Sequence, residues 1–173
     1  MKTILKDIEE FDRALFGAIF RLKWAPLTRL LRLFTLLGTA GFLWGMLAAV
    51  AFIFGGFRLS HLLVPWGAVA ISWTCAEGSK HLFNRTRPYI SDTGIAPLIK
   101  TPSSSSFPSG HSATAAAGAI TLSFAYPAFA PAFVAAGFLV ALSRVYLGVH
   151  YPFDVAAGLL IGSVVAAALL MLA

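Results

Sequence analysis

"LFTLLGTAGFLWGMLAAVAFIFGGF", residues 33–57, runs for 25 residues without a charge between Arg32 and Arg58. A helix needs about 20 predominantly apolar residues to cross the roughly 30 Å of a bilayer's hydrocarbon core. The stretch therefore predicts a membrane-spanning helix, and it decides the fold class: an all-α, polytopic membrane helical bundle. Composition agrees, since 58% hydrophobic and 12% charged residues with a mean hydropathy of +0.82 lie far from a soluble average. At 173 residues the chain is one domain, 1–173.

Outward from that run, residues 59–76 carry only His61 before Glu77 and Lys80, which makes a second span of minimal length. Residues 110–126 and 129–148 form two more, parted by "YPAFAP", whose prolines fit a tight turn between antiparallel helices. The last span is 152–173. Its Gly158 and Gly162 have the small-xxx-small spacing that lets helix backbones approach in lipid. Residues 77–109 are left as a polar loop. Residues 1–23 read as an amphipathic helix lying in the interface: Ile4, Ile8, Phe11, Leu15 and Ile19 recur at helical spacing, and acidic and basic residues, Asp12 among them, take the other face. Acidic residues where a positive region and apolar core should be argue against a signal peptide.

The single cysteine, Cys75, excludes an internal disulfide and reads as helix packing. The formal charge of +6 comes from residues that form no interleaved basic run. That excludes a nucleic-acid partner and leaves anionic membrane lipid as the counterpart.

Five spans impose a parity. The loop 77–109 and the segment 143–154 each sit between an even and an odd span, so both lie on one membrane face. That face collects nearly every ionisable group. One explanation is topological, because Lys and Arg accumulate on the cytoplasmic side; the other is an anion-binding site at the membrane surface.

Three clusters carry the choice. In "KHLFNRTRP", residues 80–88, Lys80 and Arg87 are two helical turns apart and would share a face of a helix that Pro88 stops. The plain alternative is a snorkelling basic helix end. In "FPSGHSATAAAGA", from Phe107, Ser109 suits an N-cap, Gly110 permits close approach, and His111 in the first turn could hand over a proton. The alternative is an ordinary capped start with an interfacial histidine. In "SRVYLGVHYPFD", residues 143–154, Arg144 ends the fourth span and Pro152 begins the fifth. Asp154, four residues beyond His150, could hold one imidazole nitrogen as N–H and leave the other free to act as base or nucleophile. The alternative is a helix cap beside an interfacial histidine. Together these groups match a bound phosphate with a nucleophile on one side and an acid on the other. A metal site from His111, His150, Asp154 and Glu77 fits less well, because the neighbouring cations would repel it.

The patterns K-x6-RP at Lys80, Arg87 and Pro88, PSGH at 108–111, and SR-x5-H-x3-D at Ser143, Arg144, His150 and Asp154 resemble the three-part signature of the type 2 phosphatidic acid phosphatase superfamily. The resemblance implies a lipid phosphatase that works without metal or other cofactor. His150 would attack phosphorus, Asp154 would orient it, and His111 would protonate the leaving group. Lys80, Arg87, Ser109, Gly110 and Arg144 would hold the phosphoryl oxygens. Phosphatidic acid, phosphatidylglycerophosphate, undecaprenyl diphosphate and a lipid A phosphate all remain open as substrates. A non-catalytic lipid-phosphate binder and a vanadate-dependent haloperoxidase-like enzyme are the alternatives. The resemblance also implies a bacterial inner membrane location with an outward-facing site, whereas twelve of the 13 Lys and Arg fall on the site's face, with Arg58 opposite, and argue for the cytoplasm.

Overall fold

The computed structural model describes residues 2–173, with the side chains of residues 4 and 6–173. Residue 1 of the expected interfacial helix lies outside them. Helices α1 (Lys2–Phe20), α2 (Ala25–Leu37), α3 (Phe42–Phe54) and α4 (Ser60–Phe83) form the first half. The short α5 (Pro88–Ser91) stands in the polar loop, and α6 (Gly110–Ala125), α7 (Ala130–Tyr146) and α8 (Pro152–Leu172) complete the bundle. No strand occurs among the described residues, so the all-α expectation holds.

The centre is α6. Eleven of its 16 residues are buried, because it packs against α4, α7 and α8 at once. Its alanines and glycines leave little side chain between backbones, and α8 exploits this. A Cβ at Gly158 would lie 3.0 Å from Ser112 Cβ and still closer to the Ser109 carbonyl oxygen; one at Gly162 would lie 2.9 Å from Ala116 Cβ and crowd the Ala113 carbonyl. The two glycines are thus the contact that sets α8 on α6. On the other side the fully buried Trp44 lies against Gly118, in a cluster with Val69, Ala115, Leu122 and Val140.

Several boundaries differ from the sequence reading. Residues 33–57 do not form one straight helix: α2 and α3 are parted by a 3₁₀ turn, Thr39–Gly41, and bend by 56°. Ala40 and Gly41 have φ of +50° and +76°, left-handed values that no α-helix continues through. The segment Pro127–Tyr146 and α8 are each long and apolar enough to cross a membrane, and the bent pair is a third if it counts as one span. Helix α4 runs on past residue 76, so Glu77 and Lys80 are helical. Cys75 is exposed on α4 rather than packed within the bundle.

Helix α1 is amphipathic as expected, yet it turns a different face inward. Ile4, Ile8, Phe11 and Leu15 remain exposed, open to lipid, whereas Phe16 and Phe20 pack on Ala141, Val145 and Tyr151. Asp12, read as part of the solvated face, is 0% exposed. The reason is polar: its carboxylate is taken up by the bundle's own donors, described below.

Candidate active site

All three clusters meet at the end of α6. Ser109 caps that helix, accepting at Oγ from Ser112 N–H (3.4 Å) and Ser112 Oγ–H (2.9 Å), and its own N–H donates to the Asp154 carbonyl at 3.0 Å. The start of α8 is thereby tied to the start of α6. Gly110 is needed there, since a Cβ would lie 2.6 Å from Glu77 Oε1.

Lys80 and Arg87 converge, but not on one helix face. Helix α4 ends at Phe83 with Asn84 in the left-handed conformation, and Arg87 is extended (φ −79°, ψ 157°). Pro88 enforces this, since the residue before proline is driven out of the helical region, and it starts α5 rather than stopping α4. What joins the two cations is the serine run 103–106. Lys80 Nζ donates to Glu77 Oε1 (2.6 Å) and Ser104 Oγ (3.2 Å). Arg87 Nε donates to the Ser104 carbonyl at 2.8 Å, and Nη2 to the Ser105 carbonyl at 3.1 Å. The patch that reads as low complexity is the wrap around the guanidinium.

Arg87 Nη1 donates to the Val149 carbonyl (2.8 Å) and stands 3.2 Å from His150 Nε2. A guanidinium can only donate, so Nε2 is the acceptor and the imidazole proton resides on Nδ1. Nδ1 faces Asp154 Oδ2 at 3.6 Å, too long for a hydrogen bond but close enough for charge to act. The turn that sets His150 there needs Gly148 at φ +84°, and the His150 N–H closes on the Arg144 carbonyl (3.1 Å). Burial keeps the imidazole neutral, pushing its pKa down to about 3; Asp154 opposes that shift, and Arg144 and Arg87 reinforce it. Arg87 is itself shifted down by burial.

Arg144, on α7, donates from Nη1 to Thr35 Oγ1, while its Nε is buried without a partner. His111 lies within electrostatic reach of Arg144, His150 and Lys80. Arg87 and Arg144 are 1% and 3% exposed. Neither makes a salt bridge among the described residues. Two buried guanidiniums without a carboxylate partner are costly, and their pairing with an anion offsets that cost.

Sequence reasoning missed the groups behind His150. Asp154 Oδ2 accepts from Ser106 Oγ (2.5 Å) and from the Tyr151 N–H (2.8 Å), reaching back to the residue that precedes α8. Oδ1 accepts from Arg85 Nη1 at 2.7 Å, and Arg85 Nη2 donates to Asp12 Oδ2 at 2.6 Å. The signal for Arg85 was its place in the first cluster, two residues before Arg87; Asp12 offered none.

A family model described as the PAP2 superfamily matches residues 59–173. The chain belongs to that superfamily. It is 36% identical over 124 residues to the decaprenylphosphoryl-5-phosphoribose phosphatase of Mycobacterium tuberculosis, covering 72% of this chain and 68% of that one. It is also 36% identical over 99 residues to the lipid A 1-phosphatase of Rhizobium johnstonii, there covering 55% of this chain and only 41% of the relative. Among solved structures, Aquifex aeolicus LpxE superposes with a TM-score of 0.81 at 29% identity, covering 91% of this chain and 93% of that one. A transmembrane PAP2-type phosphatidylglycerolphosphate phosphatase from Bacillus subtilis superposes with a TM-score of 0.78 at 26% identity, covering 96% and 86%. With its apolar helices, this likeness makes the chain an integral membrane protein.

Proposed function

We propose that the protein is a metal-independent lipid phosphatase, hydrolysing a phosphomonoester or diphosphate of a membrane lipid through a phosphohistidine. The observation that carries the reading is the pair of buried guanidiniums, Arg87 and Arg144, that lack a carboxylate and flank a neutral imidazole with its lone pair on Nε2. Phosphatase names among the similar proteins support it.

In this reading Lys80, Arg87 and Arg144 bind the phosphoryl oxygens, with Ser109 and the Gly110 N–H at the α6 N-terminus. His150 Nε2 attacks phosphorus as the bond to the lipid oxygen breaks, and His111 gives that oxygen a proton. Nδ1–H stays with Asp154, which stabilises the charge the ring acquires. His111 then takes a proton from water, whose oxygen attacks phosphorus while the P–N bond breaks, releasing phosphate and restoring His150. Developing charge on the equatorial oxygens falls on fixed cations in a site shielded from water.

The five expected spans belong to the same proposal. Helix α6 has 16 residues, but it crosses inside the bundle, sheltered from lipid by α4, α7 and α8. We place the site on the outer face of the bacterial inner membrane. The basic count that argues otherwise loses weight, because Lys80, Arg85, Arg87 and Arg144 are each committed to contacts within the site. The functional test is a phosphate-release panel in detergent over phosphatidic acid, phosphatidylglycerophosphate, undecaprenyl diphosphate and lipid A phosphates, with chelator present. Turnover of at least one lipid that persists in chelator and is inhibited by vanadate is expected; strict dependence on a divalent cation would contradict the mechanism.

A further inference from the structure

Asp12 is the one fully buried charged residue of α1 among the described residues, and it reaches the bundle 142 positions away in sequence. Its Oδ2 accepts from Arg85 Nη2 at 2.6 Å and its Oδ1 accepts from the Phe153 N–H at 2.9 Å, in the first turn of α8. Arg85 spans two carboxylates with the two ends of one fork, Asp12 on one side and Asp154 on the other. Its guanidinium lies over the Tyr151 ring, 4.5 Å from the centroid, which fixes its plane. Arg85 is 26% exposed at the side chain, while both carboxylates are 0% exposed.

We propose that Asp12 and Arg85 are positioning residues for the Asp154–His150 pair, with α1 supplying the carboxylate that anchors and neutralises the guanidinium holding Asp154 Oδ1. The proposal rests on the phosphatase reading, since it requires His150 to be the attacking group. Its geometry is a line of alternating charge ending at the imidazole: Asp12, Arg85, Asp154, then His150 Nδ1. With Oδ1 held by Arg85 and Oδ2 by Ser106 and the Tyr151 N–H, the carboxylate has no freedom to turn from the ring. Seating of the N-terminal helix is thereby coupled to the orientation of the proposed nucleophile.

Alternating charge makes a signed prediction that a purely structural contact would not. The charged groups that face His150 are Arg87 from the polar loop, Arg144 from α7 and Asp154 from α8; His111 from α6 is also within reach, and Lys80 from α4 acts on His111 in turn. Glu9 and Arg13 of α1 border the groove beside Arg85. All of these stay in place when only the distal pair is changed. Arg85→Gln removes a cation behind Asp154, leaves its negative field on the imidazole less opposed, and raises the pH of the acidic limb of kcat/KM. Asp12→Asn leaves Arg85 uncompensated and lowers it.

The experiment is the pH dependence of phosphate release from a short-chain phosphatidic acid in detergent, whose own ionisation is common to all variants. Opposite shifts of about half a unit to one unit are expected for the two single variants, with Asp12→Asn/Arg85→Gln between them. For each single variant kcat falls about 10- to 100-fold with KM within about 3-fold. Arg85→Lys keeps the charge, so its limb stays at the wild-type position while kcat still falls, because an ammonium cannot hold two carboxylates in a fixed fork. Should Asp12→Asn fail to fold, the Arg85→Gln and Arg85→Lys pair decides alone. Limbs that do not move, or move in the same direction, in variants that fold overturn the proposal while a dead His150→Ala keeps the phosphatase reading. Phosphate release that survives His150→Ala overturns both.

Discussion

Gly158→Ala tests whether the packing of α8 on α6 sets the catalytic geometry. The added methyl would lie 3.0 Å from Ser112 Cβ and 3.2 Å from the Ser109 carbonyl carbon, with the carbonyl oxygen nearer still. Ordinary contact needs roughly 3.4 to 4 Å between such atoms, so the helices must part by roughly 0.5 to 1 Å at this level. Overpacking of this kind costs about 1–3 kcal/mol, which lowers Tm by roughly 2–10 °C in a domain of this size. The larger effect is on the site. Four residues earlier the Asp154 carbonyl accepts from Ser109 N–H at 3.0 Å, and the Asp154 carboxylate stands 3.6 Å from His150 Nδ1. A shift near 1 Å there moves the carboxylate away from the ring and costs about 10- to 100-fold in kcat. The assay pairs phosphate release with thermal unfolding in the same detergent. Gly78→Ala is the control, since a Cβ at Gly78 meets nothing within 4 Å and replaces a helical glycine; it should hold activity and stabilise by up to about 1 kcal/mol. Gly158→Ala with wild-type Tm and turnover would refute the reasoning.

Arg87→Lys should lower kcat by about 10²- to 10³-fold, because an ammonium cannot replace the fork that bonds two serine carbonyls and the Val149 carbonyl while facing the substrate; phosphate release with a KM measurement checks it. Tyr146→Phe should cost about 1–2 kcal/mol in thermal unfolding with little change in turnover, since the hydroxyl meets the Trp24 N–H and Thr28 Oγ1 at 2.9 Å each, where α2 begins. The acidic limb of kcat/KM assigned to His150 should lie below the usual imidazole value, in line with its lowered pKa: protonation, which removes the nucleophile, is opposed by burial and by Arg144 and Arg87. Sidedness is checked with exposed Cys75 replaced and one cysteine placed in the 92–101 loop. An impermeant thiol reagent on intact cells should label it, and no labelling would place the site inside.

The class of the fold was legible because lipid demands long apolar helices, and runs such as 129–148 and 152–173 have few other uses. The bend in 33–57 was not, since it depends on backbone conformations at Ala40 and Gly41 that leave the hydropathy profile unbroken. In the site, spacing identified Lys80, Arg87, Arg144, His150 and Asp154, and the fold brings them together. The helical placement of Arg87 failed because the restraint that Pro88 puts on its predecessor outweighs continuation of α4. Ser104 and Ser106 were hidden because a serine run has no pattern of its own; only folding brings their oxygens to Lys80, Arg87 and Asp154. Asp12 was hidden in the charged face of an amphipathic helix, where periodicity cannot tell a solvated carboxylate from one paired across the bundle.

The central claim, that His150 Nε2 takes the phosphoryl group, is tested most directly by trapping the intermediate. Enzyme turning over a lipid labelled at phosphorus with ³²P is quenched in alkali and digested, and the label is located by mass spectrometry. The account predicts a phosphohistidine on the peptide containing His150, absent from His150→Ala along with turnover. Label on another residue, or undiminished phosphate release by His150→Ala, would contradict it.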